Sequence, residues 1–371
     1  MLSHKELRVE KKKVVLTTNI LHEEVLHMKK KIFVLSLFLT LFLITACSKQ
    51  GVSQEKIFVF ESDPSKSKSF AHIYDRELNE VKKVDLNTYL IGQKFQNLSQ
   101  YNNNLVLASN LSSESDKSPS NSFLILNNKA LEFNKVNLKY GSLDTITVDD
   151  NFVYGSSQNR GNLVIEKASL DNKKQENNIK LEIKDRFSDY IGQTDKYIYL
   201  HLNYSPPGEK SELAILNKEN LKELKRIPLN KKDVSKVKSS KLIDNRIVLV
   251  GGNGYHEGVI SSIDLNTDMV KSSKITGQCM VIAEVNNKYY VISCDDETNP
   301  NSKSTVWQLN KDSLEAKKVK ELNHRILNVA TLDKGLAFLA LNEVWVYDNN
   351  FKLEKHKKLD NDFNLEMATI N

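Results

Sequence analysis

Proline and glycine are scarce, 6 and 13 in 371 residues, which excludes collagen-like and proline-rich chains. Cysteine occurs three times and tryptophan twice. Three cysteines are too few for a disulfide scaffold, and an odd number cannot all pair with one another. The longest apolar run, residues 32–43, is twelve residues long, short of the ~20 that an ordinary spanning helix needs. Sequence signatures of catalysis are missing too. There is no G-x-S-x-G, no phosphate-binding G-x-x-x-x-G-K, no H-E-x-x-H and no C-x-x-C. Gly252-Asn253-Gly254 does not continue as G-x-G-x-x-G, because position 257 is Glu, and no dinucleotide site is expected. What the chain does have is 40% hydrophobic and 27% charged residues, enough of both for a globular fold with a buried core.

The front of the chain has a different character. Met28-Lys29-Lys30-Lys31 is a basic start, the apolar run 32–43 follows, and Ile44-Thr45-Ala46-Cys47 closes it. A positive segment, a short apolar segment and small residues before a cut make a secretion signal. The last four residues resemble the lipobox of bacterial lipoproteins, in which the Cys thiol receives diacylglycerol and becomes the mature N-terminus. That resemblance implies a signal peptide over 28–46, lipidation of Cys47, a tether over 47–55 and residence on the outer face of the cytoplasmic membrane (the periplasmic side in a Gram-negative source). Residues 1–27 are polar and carry no folding pattern. They read as upstream sequence before a start at Met28, the alternative being a cytoplasmic extension.

Cutting at Cys47 changes the charge. Residues 1–46 hold eight Lys/Arg and four Asp/Glu, so the net +6 of 53 basic and 47 acidic residues falls to +2, 45 against 43. No nucleic-acid footprint remains. Cys279 and Cys294 are then the only cysteines left over.

A repeat runs through the rest. An apolar strand, a loop, a second strand ending in Asp or Asn, and a Lys-rich strand recur. The closing residues are Asp75, Asn127, Asp171, Asn217, Asp264, Asn310 and Asp348, spaced by 52, 44, 46, 47, 46 and 38. A period of ~40–50 with short strands is the mark of a β-propeller. The expected fold is all-β: seven blades of four strands, A to D, over 56–371. Asx residues suit the C–D turn because they tolerate positive φ and cap their own backbone. Lys on strand D protects an exposed edge from mispairing. The segment 365–371 matches 327–333, the A strand of the last unit, yet no B strand follows it, while the unit starting at Ile57 lacks an A strand. The C-terminal strand is therefore expected to join the first blade and close the ring. Six or eight blades are the alternatives.

Ile73-Tyr74-Asp75 and Val346-Tyr347-Asp348 resemble the strand-end tripeptides of propellers of the YVTN/quinoprotein-like type, found in secreted bacterial lipoproteins. The Gly-His and Trp-Asp marks of WD40 repeats are absent, as is a regular Trp repeat. No quinone cofactor is implied.

If Asn286-Asn287 is a two- or four-residue hairpin loop, paired positions total 573 and Cys279 faces Cys294 across strands A and B. Both spacings of such pairs allow a disulfide, and export permits oxidation. A bridge is expected, with two facing thiols as the alternative. The B–C loops, read as 109–121, 155–161, 203–211, 251–258 and 294–304, share a face with the D–A connections. Loops on a rigid scaffold carry binding residues. Their candidates are Arg160, Tyr204, Tyr255, His256, Glu257, Asp295, Asp296 and Glu297. Asp295-Asp296-Glu297 offers hard oxygen ligands of the kind Ca²⁺ takes, although a solvated acidic loop is the plainer reading and no metal is assigned. No catalytic residue is assigned, and the only cofactor-like group expected is the diacylglycerol on Cys47. The function that follows is a membrane-anchored extracytoplasmic binding or scaffold module for a protein, peptide or glycan, with no nucleic-acid partner. The alternative is an extracytoplasmic lyase or lactonase-like enzyme with its site at the axial channel, marked by carboxylates, His or Arg at the channel mouth. A subunit of an envelope complex, marked by a large exposed apolar patch, is a third.

Overall fold

The computed structural model describes residues 55–63, 68–87, 98–102, 104–109, 122–137, 145–159, 161–171, 179–204, 211–253, 256–360 and 364–370. The chain divides into the units Met1–Gln54 and Glu55–Asn371. The expected leader, Cys47 and all of the tether but Glu55 lie outside the described residues, as do Arg160 and Tyr255.

Every regular element among the described residues is a strand. The first blade holds β1 (Lys56–Asp63), β2 (Lys68–Tyr74) and β3 (Glu80–Asp85). The second is β4 (Leu98–Tyr101), β5 (Asn104–Ser109), β6 (Ser122–Asn127) and β7 (Glu132–Asn137). The third is β8 (Thr145–Val148), β9 (Phe152–Asn159), β10 (Asn162–Ser169) and β11 (Ile179–Ile183). The fourth is β12 (Arg186–Gln193), β13 (Tyr197–Tyr204), β14 (Ser211–Asn217) and β15 (Glu223–Leu229). The fifth is β16 (Lys236–Ile243), β17 (Arg246–Gly252), β18 (Glu257–Asp264) and β19 (Val270–Thr276). The sixth is β20 (Gln278–Val285), β21 (Lys288–Cys294), β22 (Ser304–Leu309) and β23 (Ala316–Leu322). The seventh is β24 (Asn328–Leu332), β25 (Gly335–Leu339), β26 (Glu343–Tyr347) and β27 (Leu353–Lys358). Finally β28 (Asn364–Ile370) returns to pair with β1, giving the sheet order β28-β1-β2-β3. The protein is a seven-bladed β-propeller closed by its C-terminal strand.

Seven apolar clusters hold the ring, one at each contact between neighbouring blades. Strand alternation explains them. In β1, Ile57 and Val59 face the seventh blade, while Phe58 and Phe60 face the second. A B strand is buried on both faces, so its sequence is an unbroken apolar run rather than an alternating one. The D strands show the opposite, being mostly exposed and rich in Lys, as in β27.

The C–D turns are built from one recurring device. The Asp or Asn at the end of strand C caps the turn: Asn310 Oδ1 accepts from the N–H of Asp312 at 2.9 Å and of Ser313 at 3.1 Å, and Asn217 does the same for Glu219 and Asn220. A residue with positive φ then ends the turn: Leu78, Leu131, Leu221, Asp268, Leu314 and Phe351. Leu is strained there by roughly 1–2 kcal/mol, but Leu78, Leu221 and Leu314 are buried, and burying a Leu returns ~1.5–3 kcal/mol. Packing outweighs strain.

Side chains then tie blade to blade on the same face. Lys82 Nζ donates to Ala130 O at 2.8 Å, Lys225 Nζ to Leu265 O at 2.9 Å, and Ser273 Oγ to Leu314 O at 2.8 Å. At the closure Glu55 is buried. Its Oε1 accepts from Asp333 N at 2.8 Å, and its Oε2 lies 3.4 Å from Arg76 Nη1. Arg76 also donates to Glu354 at 2.9 Å and to Lys334 O at 3.1 Å. First and seventh blades are thus stapled by charge as well as by β28.

Two expectations need correction. Cys279 and Cys294 are free thiols and do not face each other. The hairpin through Asn286-Asn287 pairs as expected from Val285↔Lys288 to Val281↔Ile292, then Met280 is extruded as a bulge. Beyond it Cys279 pairs with Ser293 and Gln278 with Cys294. One extra residue flips the side-chain phase of a strand, so Cys279 joins the cluster facing the fifth blade, while Cys294 bonds Ser302 Oγ and Asp296 O in its own loop. The second correction concerns loop lengths. β9 runs on to Asn159, so the third blade turns at 160–161 rather than over 155–161, and β17 continues to Gly252.

Candidate functional site

The A strands are the innermost of each sheet, and four of them are bulged near their first residues: at Asp189, Lys238 and Met280, and between Asn364 and Glu366. Such bulges re-aim side chains. Here the bulge residue Lys238 and its strand neighbour Lys236 supply ion pairs on the face that carries the B–C loops. Lys238 Nζ lies 3.0 Å from Glu297 Oε2, and Lys236 Nζ lies 3.5 Å from Oε1. The Gln278 amide, assigned with its nitrogen toward the carboxylate, lies 3.1 and 3.2 Å from the two oxygens, and Gln278 is 2% exposed. Burial pushes the Glu297 carboxyl up, but the two ammoniums outweigh it and hold the group below the usual range. Arg325, from the connection into the seventh blade, donates to Glu297 O at 2.7 Å. Three blades therefore meet at one loop of the sixth, 295–303.

The other candidates scatter. His256 Nδ1 donates to Asp295 O at 3.0 Å, joining the loops of the fifth and sixth blades. Glu257 makes an exposed ion pair with Lys274. Asp296 Oδ1 accepts from Thr298 N at 2.8 Å and Thr298 Oγ1 at 2.7 Å, and these bonds hold its carboxyl below the usual range. Asp296 and Glu297 thus point to different partners, and no group of three metal-ligating side chains is found among the described residues. Tyr204 ends β13, opposite Arg186.

Sequence reading missed Lys236, Lys238, Gln278 and Arg325, which sit on A strands and a D–A connection rather than on B–C loops. Lys236-Val237-Lys238, two lysines on a strand that should line the ring axis, was the available signal. It also missed three further groupings. The bulge residue Asp189 holds His201 Nδ1 at 2.6 Å; His201 is fully buried, and its Nε2 has no hydrogen-bond partner among the described residues. Glu366 on β28 accepts from Asn328 Nδ2, and loss of surrounding water raises its carboxyl from 4.5 to about 7. Trp345 is stacked between His324 and His356, with ring centroids 4.4 and 3.8 Å away, and Glu343 accepts its indole N–H at 3.2 Å.

Among the described residues the exposed large apolar side chains are Val81, Leu224, Leu242, Met269, Val319 and Leu353; Leu242 is on the inner strand β16, and the others lie on or beside the outer strands of five blades.

No protein-family model matches the sequence, and a search of curated proteins finds no relative. Among solved structures the fold is similar to a candidate 6-phosphogluconolactonase from Bacteroides uniformis. The TM-score is 0.59 at 10% identity, covering 85% of this chain and 99% of that one. A second from Bacteroides fragilis gives 0.58 at 11% identity, with 87% and 99% covered. The Dos1 propeller gives 0.50 at 10% identity, with 82% and 84% covered. At these identities the likeness concerns the fold alone.

Proposed function

We propose that the chain is an extracytoplasmic lipoprotein, lipidated on Cys47 and held at the outer face of the bacterial cytoplasmic membrane, whose propeller is a binding module for a protein, peptide or glycan. The observation that carries the binding reading is the convergence of Lys236, Lys238, Gln278, Glu297 and Arg325, from three blades, beneath one exposed loop. Its charged groups engage one another, an arrangement suited to recognition rather than to proton transfer. Loop 295–303 rises from a rigid scaffold, where contact residues concentrate. The lipid would add ~0.8 kcal/mol of membrane affinity per buried CH₂.

Two experiments test this. Metabolic labelling with a fatty acid should label the protein and not its Cys47→Ala variant; a labelled variant overturns the anchor. Asn301, exposed on the loop, is then replaced by a photo-crosslinking residue in the native membrane. A partner should be trapped there and not from the outer strands; equal trapping at both overturns the binding face.

A second reading, a lyase or lactonase-like enzyme, draws on Asp189–His201, in which a carboxylate orients an imidazole as general-base pairs require. The full burial of His201 weighs against it. Lactone hydrolysis that disappears in His201→Gln would favour it.

A further inference from the structure

Glu297 is held as a ligand would be. Two ammoniums reach its two carboxylate oxygens, and a buried amide offers its N–H groups to both. None of the three donors belongs to the loop that carries the carboxylate. Lys236 and Lys238 stand on β16, Gln278 begins β20, and Glu297 comes over from the B–C loop of the sixth blade. We propose that Lys236, Lys238 and Gln278 form a carboxylate-binding site for an acidic side chain of a peptide ligand, and that Glu297 occupies it as an internal stand-in that such a ligand displaces. This rests on the loop face being the binding face.

The physical case has three parts. First, the cradle cannot stay empty cheaply. Without Glu297 the Gln278 amide would be buried with unpaired donors, which is costly, and two ammoniums would face each other with no counter-charge. An incoming carboxylate repairs all of this. Second, the loop backbone is secured independently of the Glu297 side chain. Arg325 holds Glu297 O, Ser302 Oγ accepts from Asp296 N at 2.8 Å, and Asp295 N donates to Lys303 O at 3.0 Å. The side chain can therefore turn out by rotation about its own bonds while the loop stays. Third, the donors suit a carboxylate. They lie around two oxygens, as charge-assisted pairs to a carboxylate do. The Glu297 side chain is 18% exposed, so the site is open to solvent on one side.

The test measures hexaglutamate binding to the mature chain by calorimetry, with hexaglutamine and inorganic phosphate as comparison probes. Glu297→Ala should bind hexaglutamate at least tenfold more tightly than the parent, and Glu297→Gln should lie between them. Adding Lys236→Ala and Lys238→Ala should abolish the gain. Hexaglutamine should gain nothing. Thermal melts identify any variant that has not folded, and Glu297→Gln carries the test if Glu297→Ala fails. No gain in either Glu297 variant overturns the proposal, as does a gain that survives loss of both lysines, or a preference for phosphate over hexaglutamate. A partner trapped through position 301 alongside any of those results overturns only the displaceable Glu297. Specific trapping that fails there strikes the binding face itself.

Discussion

Cys279 faces Ser293 across the first hairpin of the sixth blade, and Cys294, one residue further on, faces Gln278. Met280 is the extra residue that separates the two thiols onto opposite faces of the blade. Its bulge belongs to a set, since β12, β16 and β28 are bulged near the same end. Here the displaced residue also meets its neighbour closely. A Cβ on Gly258 would lie 2.3 Å from Gly277 O and 2.8 Å from Cys279 Sγ, so only glycine at 258 leaves room for Cys279 on that side.

The intact mass of the protein is therefore expected to be the same with and without reductant. Burial pushes the Cys279 thiol up to about 12, and thiolate is the reactive form. Alkylation of Cys279 should require denaturant, as followed by mass spectrometry. A two-proton mass difference would contradict the bulged register.

Removing 364–371 should lower the melting temperature far more than an ordinary terminal trim, because it bares the edge of β1 and empties the places of Met367, Ala368 and Ile370. Met367→Ala alone is expected to cost ~2–5 kcal/mol. Arg76→Ala tests the charged staple separately. It leaves Glu55 buried and is expected to cost ~1–3 kcal/mol. Denaturant melts of each variant check all three.

Glu366 gives a pH dependence whose sign is set by its raised carboxyl. Unfolded, the group ionises near 4.5, and folded near about 7. Between those values the folded chain holds the extra proton, so stability falls as pH rises from 4.5 to 7 and then levels. Below 4.5 the group contributes no slope. Glu366→Gln should remove this slope and stabilise the protein at pH 8 by about 1–3 kcal/mol relative to pH 4.5, the upper figure being reduced by water that reaches the half-buried group. Urea midpoints at the two pH values read it directly.

The positive-φ turn position separates strain from packing. Leu314→Gly relieves strain but loses a buried side chain, and should destabilise by about 1–2 kcal/mol on balance. Asp268→Gly at the matching turn gives up only an exposed ion pair with Lys225, a contact worth ~0–1 kcal/mol, and should be neutral or slightly stabilising. Thermal melts of the pair give the comparison.

By itself the sequence determined the all-β class, the seven units, the positions of B strands such as 57–60 and the return of the C-terminal strand to the first blade. These are legible because they rest on local pattern. A strand buried on both faces must be apolar throughout, a C–D turn needs its Asx cap, and an orphan A strand shows as a repeat without a successor. The tertiary structure alone decided the register beyond Val281 and the composition of the candidate site. A bulge is a response to the neighbouring blade, and nothing within 278–294 announces it. Lys238 and Glu297 stand 59 positions apart, on different blades, and only closure of the ring brings an ammonium on an inner strand under a carboxylate on a loop. Charge that looks like solvated surface along the chain becomes a paired, half-buried cluster in space, because a propeller gathers one end of every blade around a common axis.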